Sequence, residues 1–359
     1  MDHALRRDRA LALVRELELD ALLVTHLPNV RYLTGFSGSR GELVLGSRGV
    51  VLLIDGRYTE QASREAADLE RRTTLEDQVE PAIELAARLG PRMGFERGAL
   101  SFGVWERMRA VAGEDLELVP TDGIIETLRE VKDDEERALI AAAQECADSA
   151  FDEVVLGGGL REAMTERDLA LALEIAMRAA GADAPGFGSI VAFGRNAAEP
   201  HHHPAGRALG RGDLVKMDFG AEVCGYRSDM TRTVAFGEPG NRARELYGVV
   251  AAAQAAGVEA VADGAVASDV DAAARRVIAD AGLGEAFSHS VGHGVGLEIH
   301  ESPIMRASCR TVLRAGAVVT VEPGVYLPGV AGLRIEDMVE VTPEGHRVVP
   351  RTGKELIVL

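Results

Sequence analysis

KMDFGAEVCGYRSDMTRT, residues Lys216–Thr233, predicts a β-hairpin that carries two acidic residues in unusual places. Apolar residues recur along both arms of the stretch, which is typical of paired strands with one buried face. With a four-residue loop at Glu222–Gly225, Asp218 lies directly opposite Asp229 on one face of the hairpin. Because two opposed carboxylates repel each other, this arrangement requires a cation or a shared proton between them.

An alternative interpretation of the same hairpin is that both carboxylates point to water. The neighbouring residues Met217, Phe219 and Met230 are apolar, so one face of the hairpin is expected to be buried. Alternation alone does not determine which face that is. Both interpretations therefore stay open for this hairpin taken alone.

A second acidic hairpin is predicted nearer the C-terminus, where residues 318–341 read VVTVEPGVYLPGVAGLRIEDMVEV. Glu322 ends an apolar strand, and Glu336 is predicted inside another strand of the same hairpin. A glutamate that directly follows an apolar run such as AVVTV is seldom an ordinary solvent-exposed residue. The second hairpin therefore repeats the pattern of the first.

A glycine-rich segment lies between the two hairpins, at residues 290–302, and reads SVGHGVGLEIHES. It contains His293 and His300. Four carboxylates from the hairpins and one histidine from this segment make an oxygen-rich donor set that suits two divalent ions, Mn²⁺ or Co²⁺, and less exclusively Zn²⁺. Because paired ions of this kind activate a water molecule between them, the pattern predicts metal-assisted hydrolysis.

The length and the pattern of the whole chain predict two domains. The 359 residues exceed the ~250–300 residues at which a single core stops growing. Residues 1–130 alternate short β-branched runs with helical patterns and are predicted as an α/β domain. Residues 131–359 show helices followed by hairpins in two rounds, which predicts an α+β domain of two pseudo-symmetric halves. Two helix starts are predicted in it, each with an N-cap hydroxyl and an acid three residues on, at Thr165–Asp168 and Ser268–Asp271.

The composition excludes several classes of partner. A formal net charge of −18 argues against nucleic acid and against anionic membrane surfaces, since both bind clustered basic residues. The first twenty residues lack the apolar core of a signal peptide, and the apolar runs are too short to span a membrane. Three cysteines without a CxxC spacing predict no disulfide framework, which favours the cytoplasm.

Five short motifs give the chain a resemblance to a known family. MDFG, SDMTRT, GHGVG, VEPG and RIED contain, in order, Asp218, Asp229, His293, Glu322 and Glu336. In order and spacing they resemble the metal-ligand set of the pita-bread metallopeptidases, which include methionine aminopeptidase, aminopeptidase P, prolidase and the metal-free creatinase. PNVRYLTGFSGSRGELVL and IDGRY resemble the N-terminal domain of creatinase, prolidase and aminopeptidase P. Methionine aminopeptidases lack that domain, which argues against them.

The resemblance implies a role for each of the five motif residues. Asp218 would bind one ion, His293 and Glu322 would bind the other, and Asp229 and Glu336 would bridge the two. Glu322 would also act as general base and take the proton of the bridging water. The glycines of the GHGVG segment would let the backbone approach the metal. A nucleotide site is rejected there, since the segment lacks the preceding strand of a phosphate-binding fingerprint.

Three further residues acquire catalytic roles from the same resemblance. His201 lies 17 residues before Asp218, which matches a family histidine, whereas His202 and His203 have no assigned use. His300 resembles the family histidine that binds substrate and stabilises the tetrahedral intermediate. Arg334 would anchor carboxylates and help to fix the reacting water.

The expected substrates are Xaa-Pro dipeptides or longer proline-containing peptides. In some dipeptidases that this chain resembles, an arginine binds the proline carboxylate, but the matching position here is Ile304. Arg306 and Arg310 are nearby candidates for the role, and solvated loop charges are the alternative interpretation of both. We predict an Xaa-Pro dipeptidase, with aminopeptidase P as the alternative and a non-enzymatic binding module as a remoter one. The resemblance also implies a homodimer.

Overall fold

The computed structural model describes residues 1–74 and 78–359, which form two compact units, Met1–Arg129 and Glu130–Leu359. Each unit has its own sheets and its own core. Within the described ranges, a helix with the length and apolar character needed to cross a membrane is not found.

The first unit alternates helices and strands. Its helices are α1 His3–Glu16, α2 Leu27–Thr34, α3 Thr59–Glu65, α4 Val79–Leu89, α5 Phe102–Ala112 and α6 Ile124–Arg129, with a 3-10 turn at Gly56–Tyr58. Its strands are β1 Ala21–Val24, β2 Gly41–Gly46, β3 Gly49–Asp55, β4 Glu70–Thr74, β5 Arg92–Glu96 and β6 Glu117–Thr121. The strands form one mixed sheet in the order β4-β3-β2-β1-β5-β6. This is the α/β architecture that the alternating pattern predicts.

The second unit has four long helices and a larger set of strands. The helices are α7 Asp134–Phe151, α8 Glu166–Ala179, α9 Asn241–Glu259 and α10 Ala267–Asp280, with 3-10 turns at Gly194–Ala198 and Gly284–Ala286 and a π turn at Asp152–Leu156. The first strands are β7 Ala184–Pro185, β8 Ile190–Phe193, β9 Asp213–Phe219, β10 Ala221–Val223, β11 Tyr226–Arg227 and β12 Met230–Phe236. The later strands are β13 Gly292–Gly294, β14 Glu301–Met305, β15 Val318–Val321, β16 Gly324–Leu327, β17 Ala331–Arg334, β18 Asp337–Thr342 and β19 Gly345–Val348.

The second unit divides into two similar halves around separate cores. In the first half, α7 and α8 pack on the antiparallel sheet β12-β9-β8, and Phe151, Leu173 and Met217 lie in its core. In the second half, α9 and α10 pack against the antiparallel sheet β14-β13-β15-β18-β19, and Val250 and Val319 lie in its core. Two small sheets, β11-β10-β7 and β16-β17, complete the unit in the described residues. The predicted pair of halves is present.

The two predicted helix starts have different outcomes. Thr165 caps α8 and exchanges hydrogen bonds with Asp168, so the predicted capping box is confirmed. The prediction at Ser268–Asp271 is wrong, because α10 begins at Ala267 and Asp271 is engaged elsewhere. Its buried carboxylate pairs with Arg275 at 2.7 Å, and it also accepts a hydrogen bond from a backbone N–H of the Gly-rich segment.

The first acidic hairpin has a tighter turn than the sequence predicts. Its loop is the two-residue turn Cys224-Gly225, whose φ angles of 48° and 82° are those of a type I′ turn. The strands β9 and β12 therefore pair with Asp218 opposite Thr231, and the predicted pairing of Asp218 with Asp229 is wrong. The observed partner of Asp218 lies two residues beyond the predicted one, and a shift of two residues keeps side chains on the same face. Asp229 consequently stays diagonal to Asp218.

Candidate metal centre

The four acidic residues occupy equivalent places in the two halves of the second unit. Asp218 lies near the end of β9 and Asp229 directly precedes β12, while Glu322 directly follows β15 and Glu336 directly precedes β18. Glu336 is thus outside a strand, which corrects the prediction that placed it inside one. From these positions at or next to strand ends, all four side chains line a common cavity.

One cavity of about 410 Å³ is lined by all five predicted metal ligands. His293 Nε2 lies 3.3 Å from Glu322 Oε1 and 3.6 Å from Asp229 Oδ2. One ligand atom each of Asp229, His293 and Glu336 lies within 4.8 Å of the other two. The folded chain therefore brings ligand atoms from three separate segments to within the reach of one ion.

The carboxylates of this cavity fit a cation. Asp218 Oδ1 and Asp229 Oδ1 are buried, and neither has a hydrogen-bond partner among the described residues, although buried polar atoms are nearly always paired. Burial, followed by the charges of Glu336, Asp218 and Glu322, raises the pKa of Asp229 well above its ordinary value. Burial and the neighbouring carboxylates likewise raise the pKa of Glu336. Divalent ions would supply the positive charge that this set lacks.

His293 is oriented to present one ring nitrogen as a ligand. Its Nδ1 lies 3.1 Å from the carbonyl oxygen of Gly294 and donates to it, so its Nε2 faces the acidic groups. Burial alone would raise the pKa of Glu322, but the contact with His293 and the charge of Arg334 lower it to about 2. Glu322 therefore stays ionised where Asp229 and Glu336 tend to hold protons.

Arg334 supplies a buried positive charge at the edge of the carboxylate set. Its guanidinium pairs with Asp218 and donates to Tyr326 Oη at 2.9 Å and to Thr231 Oγ1 at 3.0 Å. Thr231 Oγ1 in turn donates to Glu336 Oε2 at 2.7 Å. The guanidinium and the threonine hydroxyl thus fix the orientation of one carboxylate in each hairpin, which fits the anchoring role that the resemblance implies.

Histidines form much of the remaining cavity wall. The predicted residues His201 and His300 both line it, and the rings of His300 and His293 are 4.3 Å apart. Burial and His293 lower the pKa of His300. His203 also lines the cavity, whereas His202 is buried and does not.

The sequence reasoning missed the cavity residue His289 and its hydrogen-bond partner Tyr326. His289 lines the cavity, and its Nδ1 donates to the carbonyl oxygen of Ser290, so its Nε2 accepts from Tyr326 Oη at 2.9 Å. Tyr326 in turn links His289 to Arg334. His289 lies outside the strand that carries His293, since β13 begins at Gly292, so its place at the cavity depends on tertiary contacts rather than on local spacing.

The two arginines predicted as candidates for binding a proline carboxylate do not line the cavity. Ile304 lines it, but Arg306 and Arg310 are exposed and are not among its lining residues, and Arg310 donates to Ser268 Oγ at 3.0 Å. Arg334 is the one arginine among the described lining residues, and it is engaged with Asp218. Histidines and Ser290 are therefore the other polar side chains of the described cavity wall that can donate to a free carboxylate.

The glycines of the GHGVG segment serve strand packing. A Cβ atom on Gly292 would lie 1.9 Å from the carbonyl oxygen of Thr320, and one on Gly294 would lie 2.3 Å from that of Ser302. The close approach of these two glycines is to neighbouring backbone, and the predicted approach to the metal stays a prediction. Glu301 in the same segment is buried and pairs with the Lys132 ammonium at 2.7 Å.

The fold and the donor set together define a metal-dependent hydrolase of the pita-bread class. The model of the Creatinase/Prolidase N-terminal domain matches residues 6–131, and that of metallopeptidase family M24 matches residues 138–343. The chain belongs to metallopeptidase family M24, and the predicted fold class is confirmed.

Similar proteins cover almost the whole chain. The uncharacterized peptidase YqhT of Bacillus subtilis is 39% identical over 345 residues, which are 96% of this chain and 97% of that protein. The solved structure of an Xaa-Pro dipeptidase from Bacillus anthracis is similar with a TM-score of 0.95 and 36% identity, and it covers 100% of both chains. An X-Pro aminopeptidase from Thermotoga maritima has a TM-score of 0.90 and 32% identity over 98% of this chain and 99% of its own.

Proposed function

We propose that this chain is a dinuclear-metal Xaa-Pro dipeptidase, which hydrolyses the peptide bond before proline in a two-residue peptide. The observation that carries the proposal is the convergence of five donor residues on one cavity in which two buried carboxylate oxygens lack partners in the described part of the chain. The similarity over the full length to a protein that is an Xaa-Pro dipeptidase supports the choice of substrate.

The ions would be held by Asp218, Asp229, His293, Glu322 and Glu336. We propose Asp218 for one ion, His293 and Glu322 for the other, and Asp229 and Glu336 between them. Bound divalent ions supply Lewis-acid polarisation of the scissile carbonyl and lower the pKa of a water nucleophile toward ~7. Because four of the five donors are carboxylates, we propose Mn²⁺, with Co²⁺ or Zn²⁺ as alternatives.

The side chains around the ligands would bind and orient the peptide. Glu322 accepts the proton of the attacking water through the carboxylate that His293 and Arg334 keep ionised. His201 and His300 line the cavity and donate hydrogen bonds to the substrate carbonyl oxygen as it gains negative charge. Arg334 keeps Asp218 in place while this happens.

An Xaa-Pro aminopeptidase acting on longer peptides is the second candidate function. Ile304 favours it, because an apolar side chain at the cavity wall gives no charge partner to the carboxylate that ends a dipeptide. The similarity to an X-Pro aminopeptidase agrees with this candidate.

One comparison of substrates tests the proposal. We expect purified protein supplied with Mn²⁺ to cleave an Xaa-Pro dipeptide with a kcat/KM at least about tenfold above that for the tripeptide extended after proline, a difference of ~1.4 kcal/mol. A preference for the tripeptide would replace the dipeptidase by the aminopeptidase. Protein that binds no ion and cleaves neither peptide would be a binding module.

We also propose a cytoplasmic homodimer. The location is supported by three free cysteines in the described residues, as expected in a reducing compartment. The dimer is supported by the resemblance to the pita-bread family alone. The charge of −18 supports peptide partners in preference to nucleic acid or anionic lipid.

A further inference from the structure

Three consecutive histidines, His201 to His203, face in two directions. His201 and His203 are exposed and line the cavity, and His202 between them is buried. Successive side chains of an extended segment point to opposite sides, so the outer rings reach the cavity only while the middle ring points away from it. The contacts of His202 therefore bear on where the other two rings lie.

The contacts of His202 lead to one buried carboxylate. Glu166, the first residue of α8, is fully buried, and its Oε2 accepts from His202 Nε2 at 2.8 Å and from the backbone N–H of Ala205 at 2.9 Å. Its Oε1 accepts from the backbone N–H of Phe193 at 2.8 Å and from Asn196 Nδ2 at 2.9 Å. A single side chain thus holds both ends of the segment 193–205, which we call the histidine segment.

His202 joins this carboxylate to a second one. Its Nδ1 lies 2.7 Å from Glu199 Oε2 while its Nε2 meets Glu166. Each ring nitrogen thus lies within hydrogen-bond distance of a carboxylate oxygen, an arrangement that favours the imidazolium form, in which both nitrogens donate. Burial lowers the pKa of His202, but the hydrogen bonds with Glu199 and Glu166 outweigh burial and raise it.

A buried lysine holds the same segment from the neighbouring strand. Lys216 Nζ donates to the carbonyl oxygens of Ala197, Glu199 and Pro200 at 3.2, 2.6 and 3.3 Å. Neither Lys216 nor Glu166 lines the cavity. Two buried polar side chains therefore hold the backbone of a short segment whose exposed rings face the substrate space.

We propose that Glu166 is a positioning residue for peptide hydrolysis, which acts through His202 and the histidine segment to fix the His201 and His203 rings at the cavity wall. A displacement of ~1 Å in a substrate-contacting group can lower a rate by ~10²-fold, so such an anchor has a measurable consequence. The inference rests on the proposed function for its activity readout and on the contacts above for its structural readout.

Glu166→Gln is the first test. The amide keeps the shape of the side chain but places a donor against donors, which removes part of the anchor. We expect kcat/KM for an Xaa-Pro dipeptide to fall by about 10- to 100-fold, in line with the loss of residues that orient functional groups, while Mn²⁺ affinity stays within about twofold. Asp168→Asn is the matched control, since it makes the same carboxylate-to-amide change in the same helical turn at a residue that binds Thr165 and not the histidine segment, and it should keep parent kcat/KM.

A combined variant separates positioning from general loss of structure. In a background of His201→Ala with His203→Ala, adding Glu166→Gln should lower kcat/KM by less than about threefold, because the rings through which Glu166 acts are gone. If the losses instead multiply, the proposal is overturned. If Glu166→Gln does not fold, His202→Ala takes its place, and His202→Gln, which keeps a donor toward Glu166, should return part of the lost activity.

Ring resonances keep the inference separate from the proposed function. If no proline peptide is hydrolysed by the parent protein, the proposed function fails while the anchor can still be measured. The imidazole nitrogen and hydrogen resonances of His201 and His203, assigned from the single alanine variants, should shift or broaden in Glu166→Gln and not in Asp168→Asn. Unchanged resonances in Glu166→Gln would overturn the positioning role.

Discussion

Burial decides how the individual acidic side chains of the metal centre hold their protons. Arg334 pairs with Asp218, but Asp229 and Glu336 lie among other carboxylates, and Asp218 and Asp229 each keep an oxygen that has no partner in the described residues. Burial comes first among the causes that raise the pKa of both groups in the metal-free chain. Their charge is therefore costly until cations are bound.

This cost predicts a pH dependence for the metal-free protein. A carboxyl group whose folded pKa is raised stabilises the fold below its unfolded pKa of ~4, and that contribution is lost as the pH rises through the folded pKa. Asp229→Asn has no proton to lose. We expect its free energy of unfolding, relative to the parent in chelator, to improve as the pH rises from about 4 to 8, as measured by denaturant unfolding.

Asp168→Asn provides a control of opposite sign. The hydrogen bonds from Thr165 lower the pKa of Asp168, so its carboxylate stabilises the fold above its unfolded pKa, and this contribution is lost as the pH falls. The asparagine variant should thus weaken relative to the parent as the pH rises. Equal trends for the two variants would contradict the account of the buried acids.

A residue of the cavity wall predicts a change in substrate preference. Ile304→Arg would place a guanidinium where a dipeptide ends in a free carboxylate and a tripeptide continues as a neutral amide. The ratio of kcat/KM for dipeptide over tripeptide should rise by about tenfold, and Ile304→Met, similar in size and uncharged, should leave the ratio unchanged. An equal effect of both variants would show that the side chain acts through packing.

The sequence predicts the first acidic hairpin but not the length of its turn. The alternating pattern identifies the β9–β12 hairpin and the face shared by Asp218 and Asp229. It does not reveal the two-residue turn, because Cys224 occupies a left-handed position, φ 48°, that favours Asn or Gly in most hairpins. The misplaced helix start at Ser268 has a similar cause, since tertiary partners of Asp271 override a local capping pattern.

The close contact between β13 and β14 predicts a strong effect of one methyl group. Gly294→Ala would place a Cβ atom 2.3 Å from the carbonyl oxygen of Ser302 and would push apart the strands next to His293 and His300. We expect the free energy of unfolding to fall by ~1–3 kcal/mol. Mn²⁺ affinity, measured by calorimetry, should fall by at least about tenfold.

Gly248→Ala is the matched control for that substitution. Gly248 lies inside α9, and a Cβ atom there would meet nothing within 4 Å. The alanine should stabilise the protein by about 0.4–1 kcal/mol and leave Mn²⁺ affinity unchanged. A Gly294→Ala variant that behaves like Gly248→Ala would show that the strand contact can relax without moving the ligands.

For the whole molecule, two similar halves each bring an acidic hairpin to one cavity. The sequence predicts this architecture and the five proposed ligands because each motif is local. It leaves the use of His202 unassigned, since Glu166 lies 36 residues away along the chain and meets it only in the folded structure. The contact of Tyr326 with His289 is likewise a product of tertiary packing.

Peptide hydrolysis by this protein is expected to depend on divalent ions held by this carboxylate set. The most direct measurement is the rate of Xaa-Pro dipeptide cleavage by metal-depleted protein as Mn²⁺ is added, with bound metal determined in parallel, for the parent and for Asp229→Ala. We predict that the depleted parent is inactive and gains activity as it approaches two bound ions, while Asp229→Ala neither binds Mn²⁺ tightly nor gains activity. Activity in the depleted parent, or full restoration of Asp229→Ala by Mn²⁺, would contradict the account.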